Sequence, residues 1–532
     1  MRWKRALSIV AAISAASFAS REASADSTMA FDGAIPDGAP DHFFIPFDVP
    51  AGTVEIEILH NGQPTTNILD FGVLDPNGYR GWGGGTSENS VIGEHAASRA
   101  FVPGPLPVGP WRVVVGKAKI VASPATYHVE VTFRTTATLA PQTDRKPYAA
   151  VAPLDTTARW YAMDLHAHSQ QSTDARKDLG LDEMLDFAAS RGLDALEISD
   201  HNTITQLDYF VDAQARHPHT LLIPGIEFTT YAGHANAIGA THWVDHKIGQ
   251  PGVTIEGAAD RILAQGALFS INHPALDLGN VCIGCAWKHP LLPGKVSAIE
   301  IQTGAYGTTG FIFLNDVLKF WEALLATGAH VPAVGGSDDH RAGVDEGQFG
   351  STIGQPVTLV WAKELSVAAL LDGIKNGRTV VKLQDIHDPM LELSSEVVPR
   401  GDAIRARSTF LRARVTGMPE ETTVRFVKNG VPLGEIVVTT DPFDAELAVV
   451  APATGEDRYR AEVLVKAKPR TIASHVFVSL DPAGPDAVGA RASGGTDAGG
   501  GCDVTATSVS NAWIVVLGAA IVALRRLRRR AQ

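Results

Sequence analysis

Twelve of the 18 histidines lie between His166 and His340, and the best placed of them close short apolar runs. WYAMDLHAH ends in His166 and His168, LDALEISDH in Asp200 and His201, and LLIPGIE in Glu227. ALFSINHP carries His273, and VPAVGGSDDH ends in Asp338 and His340. Imidazoles and carboxylates set at the ends of strand-like segments predict a metal site at the C-terminal rim of an α/β barrel. The spacing of His166 and His168 puts both rings on one face of an extended chain, where they can share a cation. Asp164 is placed to orient one of those rings. Asp200 reads either as an orienting carboxylate beside His201 or as a helix cap. Glu227, at the end of a buried strand, needs a charge partner, and a glutamate can bridge two cations. His234 opens the next apolar run, GHANAIG, as a further ligand, whereas His242 and His246 lie in a polar loop and read as solvated. Gly335 and Gly336 would let the backbone turn sharply before Asp338. Asp339 reads as a supporting or solvated neighbour.

This set exceeds the ligands of a single four-coordinate zinc and implies two or three divalent cations. A cluster of that kind can activate water to hydroxide and neutralise the attacking and leaving oxygens. It suits hydrolysis of a phosphate ester, and also of a carbamate or amide. His340, Asp338 and His201 are the candidates for direct participation in catalysis, with His340 or another free histidine protonating the leaving group.

The elements that must position these residues form three blocks. At 532 residues, 45% hydrophobic and 19% charged, the chain is globular and long enough for roughly two to four domains. Residues 26–148 read as all-β: HFFIPFDV, GTVEIEIL, WRVVVG and TYHVEVTF are separated by turn residues, which predicts a β-sandwich that spaces the barrel or binds carbohydrate. Residues 159–395 alternate short apolar strands with amphipathic helices such as LDEMLDFAASRG and IEGAADRILAQG, each followed by Gly, which predicts parallel βα units. Residues 400–480 return to short strands and predict a small immunoglobulin-like β-domain.

Both ends carry export signals. Arg2, Lys4 and Arg5 precede an apolar stretch and the small residues Ala23-Ser24-Ala25, so residues 1–25 read as a signal peptide. A Gly-rich linker, 481–503, contains Cys502 and leads into 504–532, a marginal apolar span closed by an arginine cluster. Both ends are net basic, so the body between them is more acidic than the whole chain's −13, which leaves no electrostatic footprint for nucleic acid. A small anionic substrate would need bound cations. In an exported chain, Cys282 and Cys285 of CIGC predict a disulfide that pins a loop, with metal or redox roles as alternatives.

DLHAHS, ISDHNT, GIE, INHP and GGSDDH, in that order, resemble the successive motifs of the polymerase-and-histidinol-phosphatase (PHP) superfamily. GHANAIG and GRTVV further resemble its carbaryl-hydrolase-like (CehA/McbA) branch. The resemblance spans roughly 160–385. It implies a distorted (β/α)7 barrel and a trinuclear site using Mn, Fe or Zn, whose third ion depends on a ligand after the first motif. The ligands it implies are His166, His168, His201, Glu227, His234, His273, Asp338 and His340. The chain departs from the pattern after the first motif, where SQQSTDAR offers Asp174 one residue away from the usual ligand position. Arg378, in GRTVV, is a candidate contact for an anionic substrate. The C-terminal tail resembles the sorting signals of myxobacterial surface proteins (MYXO-CTERM), which implies lipid attachment at Cys502 and an outer-membrane or cell-surface location. The expectation is a secreted, surface-anchored metal-dependent phosphoesterase. The alternatives are a carbamate or amide hydrolase of the same fold and a non-catalytic glycan-binding protein.

Overall fold

The computed structural model describes residues 25–493, apart from 62–66, 280–281, 305, 307–310, 345–350 and 398–402, together with 513–514. The expected signal peptide, the Gly-rich linker from 494, Cys502 and, apart from 513–514, the sorting tail lie outside the described residues. Among the described residues no helix is long and apolar enough to cross a membrane. The molecule is mixed α/β, rich in sheet and with few helices.

Period-two burial builds the N-terminal block. In Thr126–Arg134 the inward positions Val129, Val131 and Phe133 alternate with half-exposed neighbours. That strand belongs to a four-stranded antiparallel sheet with Ser27–Ala34, Glu55–Asn61 and Ser90–Gly93. A second sheet joins His42–Val49, Gly109–Lys119, Ile68–Asp75 and Gly78–Gly84. Ile56, Ile58 and Phe133 of the first sheet share one core with Phe71, Trp111 and Val113 of the second, which makes a sandwich.

The central block contains two groups of strands. Leu221–Pro224, Ala195–Ile198 and Arg159–Asp164 run parallel, then Val357–Ala362 and Thr379–Lys382 follow antiparallel. Every side chain of Ala195–Ile198 is buried, as expected for a strand covered on both faces. The second group is a five-stranded sheet: Glu227–Thr230, Gly233–Ile238, Leu268–Ile271, Ala298–Thr303 and Ala333–Gly336. Parallel bridges link the two groups, one from Ala167 to Asp339 and one from His201 to Glu227 at the start of its strand. Helices Leu181–Ser190, Ile255–Leu263, Phe311–Leu325 and Val367–Lys375 fall where the amphipathic runs predict them. Gly192 and Gly377 follow two of them at φ +74° and +68°, the left-handed termination that the sequence signalled. Helix Phe311–Leu325 buries Leu314, Val317, Trp321 and Leu324, an i, i+3, i+4 stripe, and Trp321 Nε1 donates to the Val331 carbonyl at 2.7 Å.

The 400–480 strands do not stand apart from this block. Thr379–Lys382 pairs antiparallel with Lys468–Ala473, and the same 11-stranded sheet continues into Glu456–Val465, Thr422–Lys428 and Val431–Val437. Met390–Ser395, assigned from sequence to the central block, instead pairs with Ser408–Thr416 in the facing C-terminal sheet. Strand signals give period and length but not the partner, so the boundary was not legible there.

Candidate metal centre

The strand ends deliver the predicted side chains to one place. His166 and His168 follow Arg159–Asp164, His201 follows Ala195–Ile198, and Glu227 follows Leu221–Pro224. His273 follows Leu268–Ile271, and Asp338 and His340 follow Ala333–Gly336. His234 opens Gly233–Ile238, which runs antiparallel to Leu268–Ile271 and so starts at the same end.

Glu227 is the hub. It is fully buried, and its two oxygens face different imidazoles. Oε1 lies 3.4 Å from His166 Nε2, 3.1 Å from His234 Nδ1 and 3.3 Å from His273 Nε2. Oε2 lies 2.8 Å from His201 Nδ1 and 3.5 Å from His168 Nε2. Asp338 Oδ1 sits 3.2 Å from His166 Nε2 and 3.1 Å from His168 Nε2. Ligand atoms held at metal-bond length around a tetrahedral ion are about 3.4 Å apart, so these separations fit a cation among His166, His168, Glu227 and Asp338. The donor atoms of those four residues all lie within 4.8 Å of one another, and so do those of His168, His201 and His340 and of His166, His273 and Glu300. His166 Nε2, His168 Nδ1 and Glu227 Oε2 are buried without a hydrogen-bond partner, a costly state that a bound cation relieves at the two atoms that face the cluster.

On His166, His234, His273 and His340 the far nitrogen is committed elsewhere, which turns the remaining lone pair toward the centre. His166 Nδ1 lies 3.3 Å from Glu300 and donates to that carboxylate. His273 Nδ1 donates to the Cys285 carbonyl at 3.2 Å, His234 Nε2 to the Ile283 carbonyl at 3.2 Å, and His340 Nδ1 to the Asp338 carbonyl at 2.9 Å. Thr229 Oγ1 donates to the Glu227 carbonyl at 3.1 Å and so accepts from His201 Nδ1 at 2.7 Å. This leaves His201 Nε2 facing Asp174 Oδ2 at 3.2 Å, and His340 Nε2 faces the same oxygen at 3.5 Å. Asp174, the displaced candidate, therefore joins the cluster.

Electrostatics follow from this crowding. Burial alone would raise Glu227, but His201, His166 and His234 hold its carboxyl well below the ordinary range. Burial, with His340 and His201 beside it, pushes His168 down to about 3. Burial also opposes a charged His340, yet Asp174 and Asp338 outweigh it and hold the imidazole up at about 9.

Several expectations change. Asp164 does not orient a ring: it accepts backbone N–H groups from His166 at 3.2 Å, Ser337 at 2.9 Å and Gly354 at 2.8 Å. Asp200 ties two motifs together by accepting the Ser169 amide at 2.7 Å and hydroxyl at 2.6 Å. Asp339 is buried rather than solvated and accepts from the Arg341 and Gly343 amides. Gly335 and Gly336 are strand residues, and the turn falls on Asp338 itself at φ +59°. Gly336 is required for close approach, because a Cβ there would sit 2.3 Å from His166 Cβ. His246 is buried against Trp82 and His42.

Arg378 does not join the site. It precedes Thr379, which pairs with Val360 level with Tyr161, near the start of the strand whose far end leads to His166. Its guanidinium pairs with Asp372. Cys282 and Cys285 are disulfide-paired with Cα atoms 5.6 Å apart, which fixes the segment whose carbonyls orient His234 and His273. Glu300 was missed because it lies inside the apolar run AIEIQT, whereas Glu227 closes one.

No protein-family model matches the chain, and no curated protein matches it. Among solved structures it is similar to a two-domain protein containing a predicted PHP-like metal-dependent phosphoesterase from Bacteroides vulgatus, at 18% identity over 64% of this chain and 100% of that one, TM-score 0.34. It is also similar to a candidate metal-dependent phosphoesterase from Bifidobacterium adolescentis, at 12% identity over 36% of this chain and 91% of that one, TM-score 0.24. A third likeness is the lesion-specific endonuclease EndoQ of Pyrococcus furiosus, at 14% identity over 41% of this chain and 56% of that one, TM-score 0.29.

Proposed function

We propose that this chain is a metal-dependent phosphoesterase of the PHP type, built on a distorted (β/α)7 barrel and carrying two or three Mn, Fe or Zn ions. The observation that carries the reading is Glu227, a buried carboxylate whose two oxygens divide five imidazoles between them. Hard and borderline cations match this mixed imidazole and carboxylate set. When bound, they supply Lewis-acid activation of water and neutralisation of phosphoryl oxygens.

The chain's residues do the holding. Glu227 and Asp338 link the inner imidazoles, while Glu300, the Cys285 carbonyl and the Ile283 carbonyl fix the orientation of the rings. His340 serves as a ligand rather than a proton donor. Its Nδ1–H is committed to a carbonyl, and its one available nitrogen faces Asp174. Asp174, about half-exposed, marks the open mouth through which a small anionic substrate reaches the centre. Export and surface anchoring through Cys502 belong to the same proposal, and the Cys282–Cys285 pairing supports an oxidising compartment.

The test is elemental analysis of the purified 26–500 chain, paired with turnover of bis-p-nitrophenyl phosphate and of an aryl carbamate. The expected result is two or three ions per chain, phosphodiester turnover, and loss of both in His166→Ala. Absence of metal and turnover after loading with Mn, Fe or Zn would overturn the proposal. Turnover of the carbamate alone would redirect it to carbamate hydrolysis.

A further inference from the structure

Asp174 stands in a segment with no strand or helix of its own, yet it must face His201 and His340. What holds that segment comes from another part of the molecule. Arg99, on a loop of the N-terminal sandwich, sends its guanidinium into the segment. Nη1 donates to the carbonyls of Gln170 at 3.3 Å, Ser172 at 3.2 Å and Ala175 at 2.9 Å, and Nη2 to that of Thr173 at 2.5 Å. Glu88 fixes the guanidinium from the other side, at 2.9 Å from Nε and 3.1 Å from Nη2. The side chain is 15% exposed, so its charge is satisfied by these partners rather than by water.

Further bonds stitch the same faces together. Thr173 Oγ1 donates to the Gly83 carbonyl at 2.5 Å, and the Ala100 amide donates to Gln171 Oε1 at 3.2 Å. Tyr79 Oη donates to the carbonyl of Asn202, the neighbour of His201, at 3.1 Å. Tyr231, in the turn after the Glu227–Thr230 strand, donates to Asp70 of the sandwich at 2.7 Å. The segments bearing Asp174, His201 and Glu227 are thus all gripped from the sandwich.

We propose that the N-terminal β-sandwich builds the outer part of the metal centre, with Arg99 as the positioning residue that holds 170–175 so that Asp174 completes a cation site with His201 and His340. A planar guanidinium can serve four carbonyls at once, which an ammonium cannot. Without it the segment regains conformational freedom, and the outer cation loses its only half-exposed ligand. The sandwich is therefore part of the enzyme and not a spacer. The inference rests on the metal-hydrolase reading above.

The experiment uses the full exported chain, loaded with Mn and desalted, as wild type, Arg99→Ala, Arg99→Lys and Asp174→Asn. Metal content, thermal melting, kcat and KM for bis-p-nitrophenyl phosphate are measured on each. Arg99→Ala and Asp174→Asn should each lose one ion per chain and about tenfold or more in kcat, while the melting temperature of Asp174→Asn stays near wild type. Arg99→Lys should fall between, and millimolar guanidinium should restore part of the lost metal and kcat in Arg99→Ala. Full metal content and unchanged kcat in Arg99→Ala would overturn the positioning role. Should Arg99→Ala fail to fold, full metal content in Asp174→Asn would overturn it equally. A wild-type chain that binds no metal removes the phosphoesterase reading itself, which is a different outcome from either.

Discussion

At the residue scale, the proposed function rests on His166, His234, His273 and His340, whose lone pairs point inward because the opposite ring nitrogen is already bonded. Glu300 shows how much a supporting carboxylate contributes. It accepts from His166 Nδ1 and also takes the His273 amide at 3.0 Å, so it aligns two ligands at once. Glu300→Gln should weaken metal affinity about 10- to 100-fold with little change in melting temperature, as read by competition with a chelating dye. Glu227→Ala is more severe: it removes the carboxylate between the two halves of the cluster and should abolish metal retention and turnover together. His166, His168, His201, Glu227, His273, Asp338 and His340 were legible because each follows an apolar run. Glu300 and the carbonyls of Ile283 and Cys285 were not, because a backbone carbonyl has no sequence signature and Glu300 lies inside its strand.

At the element scale, the 282–288 segment acts as a clamp on the hairpin turn that bears Tyr231. The Lys288 amide donates to the Ala232 carbonyl at 2.7 Å, and Gly284, at φ +83°, lies so close that a Cβ would sit 2.3 Å from the Thr230 carbonyl oxygen. Gly284→Ala should therefore lift the carbonyls that orient His234 and His273. It should lower both metal affinity and melting temperature, which isothermal titration with Mn and a thermal melt would show. A second joint lies between the Phe311–Leu325 helix and the C-terminal sheet. Glu322 accepts from Arg458 Nε at 2.9 Å, pairs with Arg460, and lies 3.3 Å from His475 Nε2. Glu322→Ala leaves two arginines without their shared partner and should cost about 3 kcal/mol in a urea titration, with metal content unchanged. The helix itself was legible from its apolar stripe, but its ionic partners about 140 positions later were not.

At the scale of the whole molecule, the shared 11-stranded sheet makes the central and C-terminal blocks one folding unit. Calorimetry should show them unfolding in a single transition. Acid should weaken the molecule at its buried imidazoles. Burial, with Lys247 nearby, holds His42 down to about 4 between the sandwich and the central block, and burial holds His60 and His475 at about 4 elsewhere. The unfolded chain binds these protons at an ordinary histidine pKa near 6.5, so stability is full above that pH and falls as the pH drops toward 4. The loss is about 3 kcal/mol for His42 alone. Melting temperature should fall between pH 7.5 and 5, and His42→Phe should flatten that slope.

By itself the sequence placed imidazoles and carboxylates at the ends of apolar runs and showed β-rich stretches on either side of a stretch in which strands and helices alternate. Those features are local, set by apolar periodicity, glycine terminators and strand-end histidines within a dozen residues of one another. The tertiary structure decided which carboxylates support which rings, placed Arg378 at the far end of its strand, ran one sheet through two expected domains, and pressed the sandwich onto the histidine–carboxylate cluster. Each of these depends on partners brought together by strand pairing and burial, and no local pattern encodes that pairing.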